Sequence, residues 1–241
     1  VRLAVLADVH GNIDALRAVL DDLATQSPDL TVNLGDCLSG PLWPAETADL
    51  LIGLGWPTVR GNHDRWLTAP PEPVGPWEAD ALPCLTAAHH RWLAALPPTL
   101  TLENIFLCHA TPASDTTYWL HEVRPDGVFA PSPPDRIAKL AGDIASPLLL
   151  CGHTHLAAAV RLDDGRLIVN PGSVGCPAYE DDHPVYHRAE AGTPHACYAV
   201  LDRRGADWAV SFRRIPYDTT RAIARAHFRP DWVSALATGR L

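Results

Sequence analysis

The sequence predicts an α/β fold in which two sheets pack together with helices outside, and three observations predict it. Four short apolar or β-branched runs, Leu3 to Ala7, Leu30 to Leu34, Pro57 to Val59 and Pro147 to Cys151, are of strand length and too short for helices. Helical periodicity separates the runs of the first half, the alternation that closes βαβ units. The second half is richer in strands and carries an Asp-Gly hairpin signal.

Each element follows from local pattern. After Asp8-Val9-His10-Gly11-Asn12, the residues Ile13, Leu16, Val19, Leu20 and Leu23 share one face of a helix over Ile13 to Leu23, which leads into the Leu30 to Leu34 strand. Pro44 to Leu54 predicts the next helix, with proline in the early position that helices tolerate. Gly55-Trp56-Pro57 turns the chain into the strand that ends at Gly61. Trp66 to Pro83, rich in proline and glycine, is expected to form an excursion above the sheet edge, and Ala87 to Leu96 a helix with Trp92 and Leu96 facing inward. Strands are expected at Leu100 to Leu102, Ile105 to Cys108, Leu148 to Cys151, Ala157 to Arg161, Leu167 to Val169, Cys197 to Leu201 and Trp208 to Phe212. Asp163-Asp164-Gly165-Arg166 makes a hairpin turn. Thr219 to Leu236 reads as helix, broken at Pro230.

With 241 residues and neither a Gly/Ser linker nor a repeat, the chain is expected to form one domain over 1–241. A formal net charge of −9 argues against a general nucleic-acid-binding surface, which rests on clustered Lys and Arg. A small phosphate substrate remains compatible, because bound divalent cations dominate the local field. No run approaches a membrane span, and the first residues enter a strand carrying Asp8 instead of a signal peptide, so a cytoplasmic protein without membrane attachment is expected. The six cysteines show no CxxC spacing. Cys37, Cys108 and Cys151 read as small apolar residues packed at strand ends. The oligomeric state is left open.

The predicted strands deliver chemistry. In open α/β sheets, ligands bind beyond the carboxyl ends of the strands. Asp8-Val9-His10, Gly35-Asp36, Gly61-Asn62-His63-Asp64 and Gly152-His153-Thr154-His155 follow the four runs, and Ile105 to Cys108 leads into His109. Five strand ends thus offer three aspartates, an asparagine and five histidines to one place. Such mixed donors suit Mn²⁺, Fe²⁺, Zn²⁺, Co²⁺ or Ni²⁺ better than Ca²⁺ or Mg²⁺. Two divalent ions roughly 3.5–4 Å apart repel strongly, and a shared carboxylate relieves them; Asp36 is the candidate. His153 and His155, at i and i+2 of an extended segment, point the same way and can reach adjacent ions. His63 follows Asn62 and is the candidate to protonate or stabilise a leaving oxygen, with Asp64 orienting its imidazole. Asn12 either binds an anionic substrate oxygen at the start of a helix or caps that helix.

The ordered set Asp8-x-His10, Gly35-Asp36, Gly61-Asn62-His63-Asp64, His109, Gly152-His153-Thr154-His155 and Asn170-Pro171-Gly172-Ser173-Val174-Gly175 spans nearly the whole chain. It resembles the calcineurin-like metallophosphoesterases, in their small prokaryotic phosphodiesterase branch. The resemblance implies a four-layer α/β/β/α sandwich of two mixed sheets flanked by helices. It implies two divalent transition-metal ions, manganese foremost and iron, zinc, cobalt or nickel as alternatives. Asp8, His10, Asp36 and His155 would hold one, and Asp36, Asn62, His109 and His153 the other. The implied reaction is hydrolysis of a small phosphodiester or phosphomonoester by direct attack of a metal-bridging hydroxide. A dinucleoside polyphosphate of the diadenosine tetraphosphate type is the alternative substrate, and a noncatalytic metal-stabilised scaffold the alternative of another class.

The chain departs from the pattern after Gly175. Relatives run through a short segment bearing an arginine, whereas here a longer loop, Glu180 to His195, follows Cys176-Pro177-Ala178-Tyr179. Arg188 either replaces that arginine as a substrate-phosphate contact or lies in a solvated insertion. Specificity is expected from this loop, from Trp66 to Leu85 and from Asp115 to Trp119, with Trp66, Trp77, Tyr118, Trp119, Tyr179 and Tyr186 as candidates to stack a base or as packing residues. Asn170-Pro171-Gly172-Ser173 is expected to form a tight turn beneath the metals.

Overall fold

The computed structural model describes residues 1–241. Strand β1 (Arg2–Leu6) leads through α1 (Ile13–Gln26) into the parallel strand β2 (Leu30–Asn33), the predicted βαβ unit. Helix α1 buries Ile13, Leu16, Val19 and Leu23, the stripe its periodicity foretells. Helix α2 (Pro44–Leu54) opens on proline and closes at Gly55, whose φ of 62° lies in the left-handed region open to glycine. The Pro57 to Val59 run makes only a single parallel bridge, Thr58 with Asn33. It is three residues long and begins with proline, which cannot donate to a ladder. The excursion after it contains α3 (Asn62–Thr68) and α4 (Pro76–Ala81), and α5 (Ala87–Ala95) follows behind a Thr86 cap.

The second half continues with β3 (Thr99–Leu102), β4 (Ile105–Cys108), β5 (His121–Val123), β6 (Phe129–Pro131), α6 (Pro134–Ala141), β7 (Leu148–Leu150), β8 (Ala158–Arg161) and β9 (Leu167–Asn170). Then come β10 (Ala178–Asp181), β11 (His187–Glu190), β12 (Ala196–Arg204), β13 (Asp207–Ile215), α7 (Thr220–Arg225) and α8 (Pro230–Thr238). The helical stretch expected over Thr219 to Leu236 is broken at Pro230 as expected, and the proline starts α8 at a first-turn position, where its missing N–H costs nothing. One expectation is corrected here: the Glu180 to His195 segment is not a solvated loop, because β10 and β11 pair as an antiparallel ribbon that buries His187 and Ala189 on one side.

One sheet runs β13-β12-β1-β2 and the other β3-β4-β7-β9-β8, both mixed. Period-2 alternation sets their faces. Leu3, Val5 and Val32 of the first sheet meet Leu107, Leu150 and Val169 of the second in the central core, while Ala4 and Leu6 turn outward onto α1. Phe106, Leu149 and Ile168 turn outward onto Ile137 and Ala141 of α6. Helices therefore cover both outer faces, giving the expected four layers. The parallel strands β1, β2, β4 and β7 all end at one edge, and Asp8, Asp36, His109 and His153 lie just past those ends. No helix is long and apolar enough to cross a membrane.

Candidate metal centre and substrate cavity

At that edge the predicted donors form two clusters. Asp8, His10 and His155 bring one ligand atom each within 4.8 Å of one another, and Asp36, His109 and His153 do the same. Asp36 Oδ2 lies 3.1 Å from His109 Nε2 and 3.9 Å from His10 Nε2, so a single oxygen reaches toward both clusters. His10 Nε2 and His155 Nε2 are 3.2 Å apart, and His155 Nε2 is 3.6 Å from Asp8 Oδ1.

The far side of each ring is tied down. His10 Nδ1 faces Ser39 Oγ at 2.9 Å, while His109 Nδ1 and His155 Nδ1 each meet a backbone carbonyl, of Leu34 and Cys176, at 2.7 Å. A ring that donates Nδ1–H to a carbonyl keeps its Nε2 lone pair for a cation. His153 is reversed: its Nε2 meets the Thr116 carbonyl at 3.1 Å, which frees Nδ1. Asp8 Oδ1, Asn62 Oδ1 and His109 Nε2 are buried without a hydrogen-bond partner. Buried polar atoms are normally paired, so these orphans and the imidazole–carboxylate donor set fit two divalent cations.

The backbone is bent to make this possible. Seven non-glycine residues have positive φ, and five are Asp8 (56°), His10 (48°), Asp36 (54°), His153 (69°) and His155 (58°). Left-handed backbone costs a residue with a Cβ roughly 1–2 kcal/mol, and such strain concentrates at functional sites. Glycines supply the remaining room. A Cβ on Gly61 would stand 2.0 Å from Asp36 Oδ1 and 2.6 Å from Asp36 N, and one on Gly35 (φ 95°) 2.4 Å from Gly61 N. The Gly-Asp and Gly-Asn steps thus press two chain segments together at the shared carboxylate.

Among the protein groups alone, burial drives His10 and His153 down to about 3 and His155 well below the usual imidazole range, keeping all three neutral. Burial acts the same way on His109, but the adjacent Asp36 carboxylate outweighs it and lifts this ring to about 10. Burial raises Asp8 well above the usual carboxylate range. At Asp36 burial is outweighed by His109, His63 and His10, and its carboxyl falls well below that range.

His63 is the second residue of α3. Its N–H donates to Asp36 Oδ1 at 2.9 Å, and its ring lines the cavity above the clusters. The expectation that Asp64 orients this ring is corrected. Successive helical residues diverge around the axis, and the buried Asp64 carboxylate instead accepts from the backbone N–H groups of Asp36 (2.8 Å), Cys37 (2.9 Å) and Gly61 (2.9 Å). The acid that meets His63 is Glu78 of α4, with Oε1 2.5 Å from Nδ1. Reading the sequence missed Glu78, although Pro76 as a helix start with an acid in the first turn was the available signal.

Two further assignments change. Asn12 caps α1 with Oδ1 accepting from Ala15 N–H at 3.1 Å, and its Nδ2 donates to Gly175 O (2.9 Å) and Tyr217 Oη (3.0 Å). Its polar atoms are spent inside the fold, so it is a cap and not a substrate contact. Arg188 faces outward from β11, donating to Tyr186 Oη at 2.8 Å and to the Leu241 carbonyl at 3.1 Å, and it does not line the cavity. Strand alternation, which turns His187 and Ala189 inward, sends it away. The Asn170 to Ser173 turn does lie under the clusters: Asn170 Nδ2 donates to Gly152 O (2.6 Å) and Ser173 Oγ to Asp8 O (2.8 Å).

The cavity measures about 810 Å³. Of the aromatic candidates, Trp66, Trp77, Tyr118 and Tyr179 line it. Trp119 is buried beneath α6 with its Nε1 donating to Ile137 O, and Tyr186 is exposed and paired with Glu180. The lining has one arginine and no lysine, Arg136, anchored by Ser132 Oγ at 2.8 Å and beside Glu122 at 3.5 Å. No sequence pattern marks it.

Back-to-back mixed sheets with two acid–imidazole clusters at the carboxyl ends of their strands define a phosphoesterase architecture. The chain belongs to the calcineurin-like phosphoesterase superfamily, whose domain model matches residues 1–193. It is 26% identical to a metallophosphoesterase from Sphaerobacter thermophilus, whose crystal structure superposes with a TM-score of 0.76 over 99% of this chain and 98% of that one. An uncharacterized protein of Methanocaldococcus jannaschii is 24% identical over 258 residues, covering 96% of this chain and 95% of its own length.

Proposed function

We propose that the chain hydrolyses a small phosphodiester or phosphomonoester with two divalent transition-metal ions, manganese foremost. Asp8, His10, Asp36 and His155 would hold one ion, and Asp36, Asn62, His109 and His153 the other. The observation that carries this reading is the Asp36 oxygen between two donor clusters, beside which Asp8 Oδ1, Asn62 Oδ1 and His109 Nε2 are buried without partners. When bound, two such ions acidify water and draw in phosphoryl oxygens.

The protein's own groups supply the rest. Asp36 keeps the clusters adjacent, and the carbonyl-tied imidazoles hold their lone pairs inward. His63, with Nδ1–H committed to Glu78, acts from its cationic form: Nε2–H gives its proton to the leaving oxygen as the phosphorus–oxygen bond breaks, and the ring is left neutral with hydrogen on Nδ1. A dinucleoside polyphosphate is the second substrate reading, favoured by a cavity of about 810 Å³ walled by Trp66, Tyr118 and Tyr179.

The test strips the protein of metal, restores Mn²⁺, and compares bis(4-nitrophenyl) phosphate, 4-nitrophenyl phosphate and diadenosine tetraphosphate. Hydrolysis confined to the Mn²⁺-loaded protein is expected, and the three rates rank the substrate classes. Two bound ions with no turnover of any of them would favour a noncatalytic scaffold.

A further inference from the structure

The contact between His63 and Glu78 belongs to a larger construction. Glu78 is buried, and its carboxylate lies over the first turn of α4, where a Cβ on Gly75 would stand 2.4 Å from Oε2. Glycine at 75 therefore makes room for this carboxylate. The neighbouring Trp77 stacks on the His63 ring, with centroids 5.1 Å apart and planes 19° from parallel, and meets His10 edge-on at 5.0 Å. One side of the imidazole is thus set by a hydrogen bond and one face by an indole.

Helix α4 has only six residues and is held from outside. Arg229 Nε donates to Asp80 Oδ2 at 2.8 Å and its Nη2 to the Pro76 carbonyl at 2.9 Å. Trp232 of α8 packs against Trp77 at 5.1 Å. The Gly40 N–H donates to the Trp77 carbonyl at 3.1 Å, and a Cβ on Gly40 would strike the Trp232 ring at 2.8 Å. Arg229 and Trp232 both lie beyond the 1–193 segment that the family model matches.

We infer that Glu78 is the positioning residue for His63, presented by α4 and clamped in place by Arg229, the N-cap of α8, and Trp232 within that helix. The inference rests on the reading of His63 as the group that serves the leaving oxygen. A carboxylate on Nδ1 holds hydrogen on that nitrogen in both the cationic and the neutral ring, so Nε2, turned toward the cavity, is the nitrogen that gains and gives up the proton. A buried carboxylate has few other partners, so the tie persists when substrate enters. The C-terminal helices then contribute to leaving-group chemistry without touching substrate.

The test uses the Mn²⁺-loaded full chain with bis(4-nitrophenyl) phosphate, whose leaving group needs little protonation, and diphenyl phosphate, whose leaving group needs more. H63A is expected to lose roughly 100-fold on diphenyl phosphate and about tenfold or less on the nitrophenyl ester. E78A should show the same selectivity in kcat with KM little changed. E78Q, which keeps an acceptor oxygen and the buried shape, should lose less, and R229A, remote from the ring, less again but with the same bias. The ¹⁵N spectrum of the His63 imidazole, recorded with diamagnetic Zn²⁺ in place of Mn²⁺, gives a readout independent of turnover: Nδ1 should be protonated in the parent, keep part of that preference in E78Q and lose it in E78A. Selective loss in H63A without it in either Glu78 variant overturns the positioning role alone. No selectivity in H63A overturns the reading of His63 itself. An unchanged His63 spectrum in E78A overturns the tie whatever the kinetics.

Discussion

The edge that gathers Asp8, His10, Asp36, His109, His153 and His155 and the wall that carries Trp66, Trp77, Glu78, Tyr118 and Tyr179 face the same space but are built by opposite means. At the edge, the backbone of each donor's own segment sets its position, through strand ends, left-handed residues and the Gly35–Gly61 contact. Along the wall, side chains distant in sequence set it: Arg229 with Asp80, Trp232 with Trp77, and Tyr118 Oη with His187 Nε2 at 3.0 Å. A donor fixed by its covalent neighbours cannot shift without remaking the local chain, whereas a short helix held by a few side chains can be re-aimed by changing them. The edge is suited to invariant chemistry and the wall to selectivity.

The sharpest way to break this contrast is at the carboxylate that both clusters share. Asp36→Asn should lower turnover roughly 1,000-fold or more and reduce bound Mn²⁺ below two per chain, measured by kinetics and metal analysis. Two ions with normal turnover would mean that the edge does not depend on this oxygen. Next in size is Gly61→Ala, whose new methyl would enter the Asp36 side chain. A loss of about 3 kcal/mol in urea unfolding is expected, with metal content falling alongside; a parent-like melt would show that the edge yields more easily than its contacts imply. The smallest effect belongs to Arg188→Ala, on the outer side of the β10–β11 ribbon. Stability should change by less than about 0.5 kcal/mol and turnover by less than about twofold. A larger kinetic loss would return Arg188 to the substrate.

The same contrast explains what could be read from the residues. Strand-length apolar runs ending in Asp, Asn and His announced both the layers and the edge, because each donor lies within a few residues of the strand that delivers it. The wall was opaque. Glu78 sits fifteen residues from His63 in a proline-rich excursion, and only the packing of α4 brings them together. Asp64 was assigned to its neighbour by adjacency, but a helix beginning at Asn62 turns the two side chains apart. The place of Arg136 depends on where α6 falls against the second sheet, and that of the β10–β11 ribbon on its packing against α8 and β6, which no local pattern encodes. Arg188 illustrates the converse: a charge in a suggestive place in the sequence faces away because alternation along β11 requires it.

The left-handed residues at the edge carry an evolutionary consequence. Aspartate or histidine at positive φ is costly where glycine is not, so replacing Asp8, His10, Asp36, His153 or His155 by glycine would relieve roughly 1 kcal/mol of backbone strain at each. Drift toward greater thermal robustness, or laboratory selection for it without an activity screen, would therefore tend to erode the donors before it touched the core. A lineage released from its reaction should lose these positions early and keep the sandwich, becoming a sturdier protein with an empty edge.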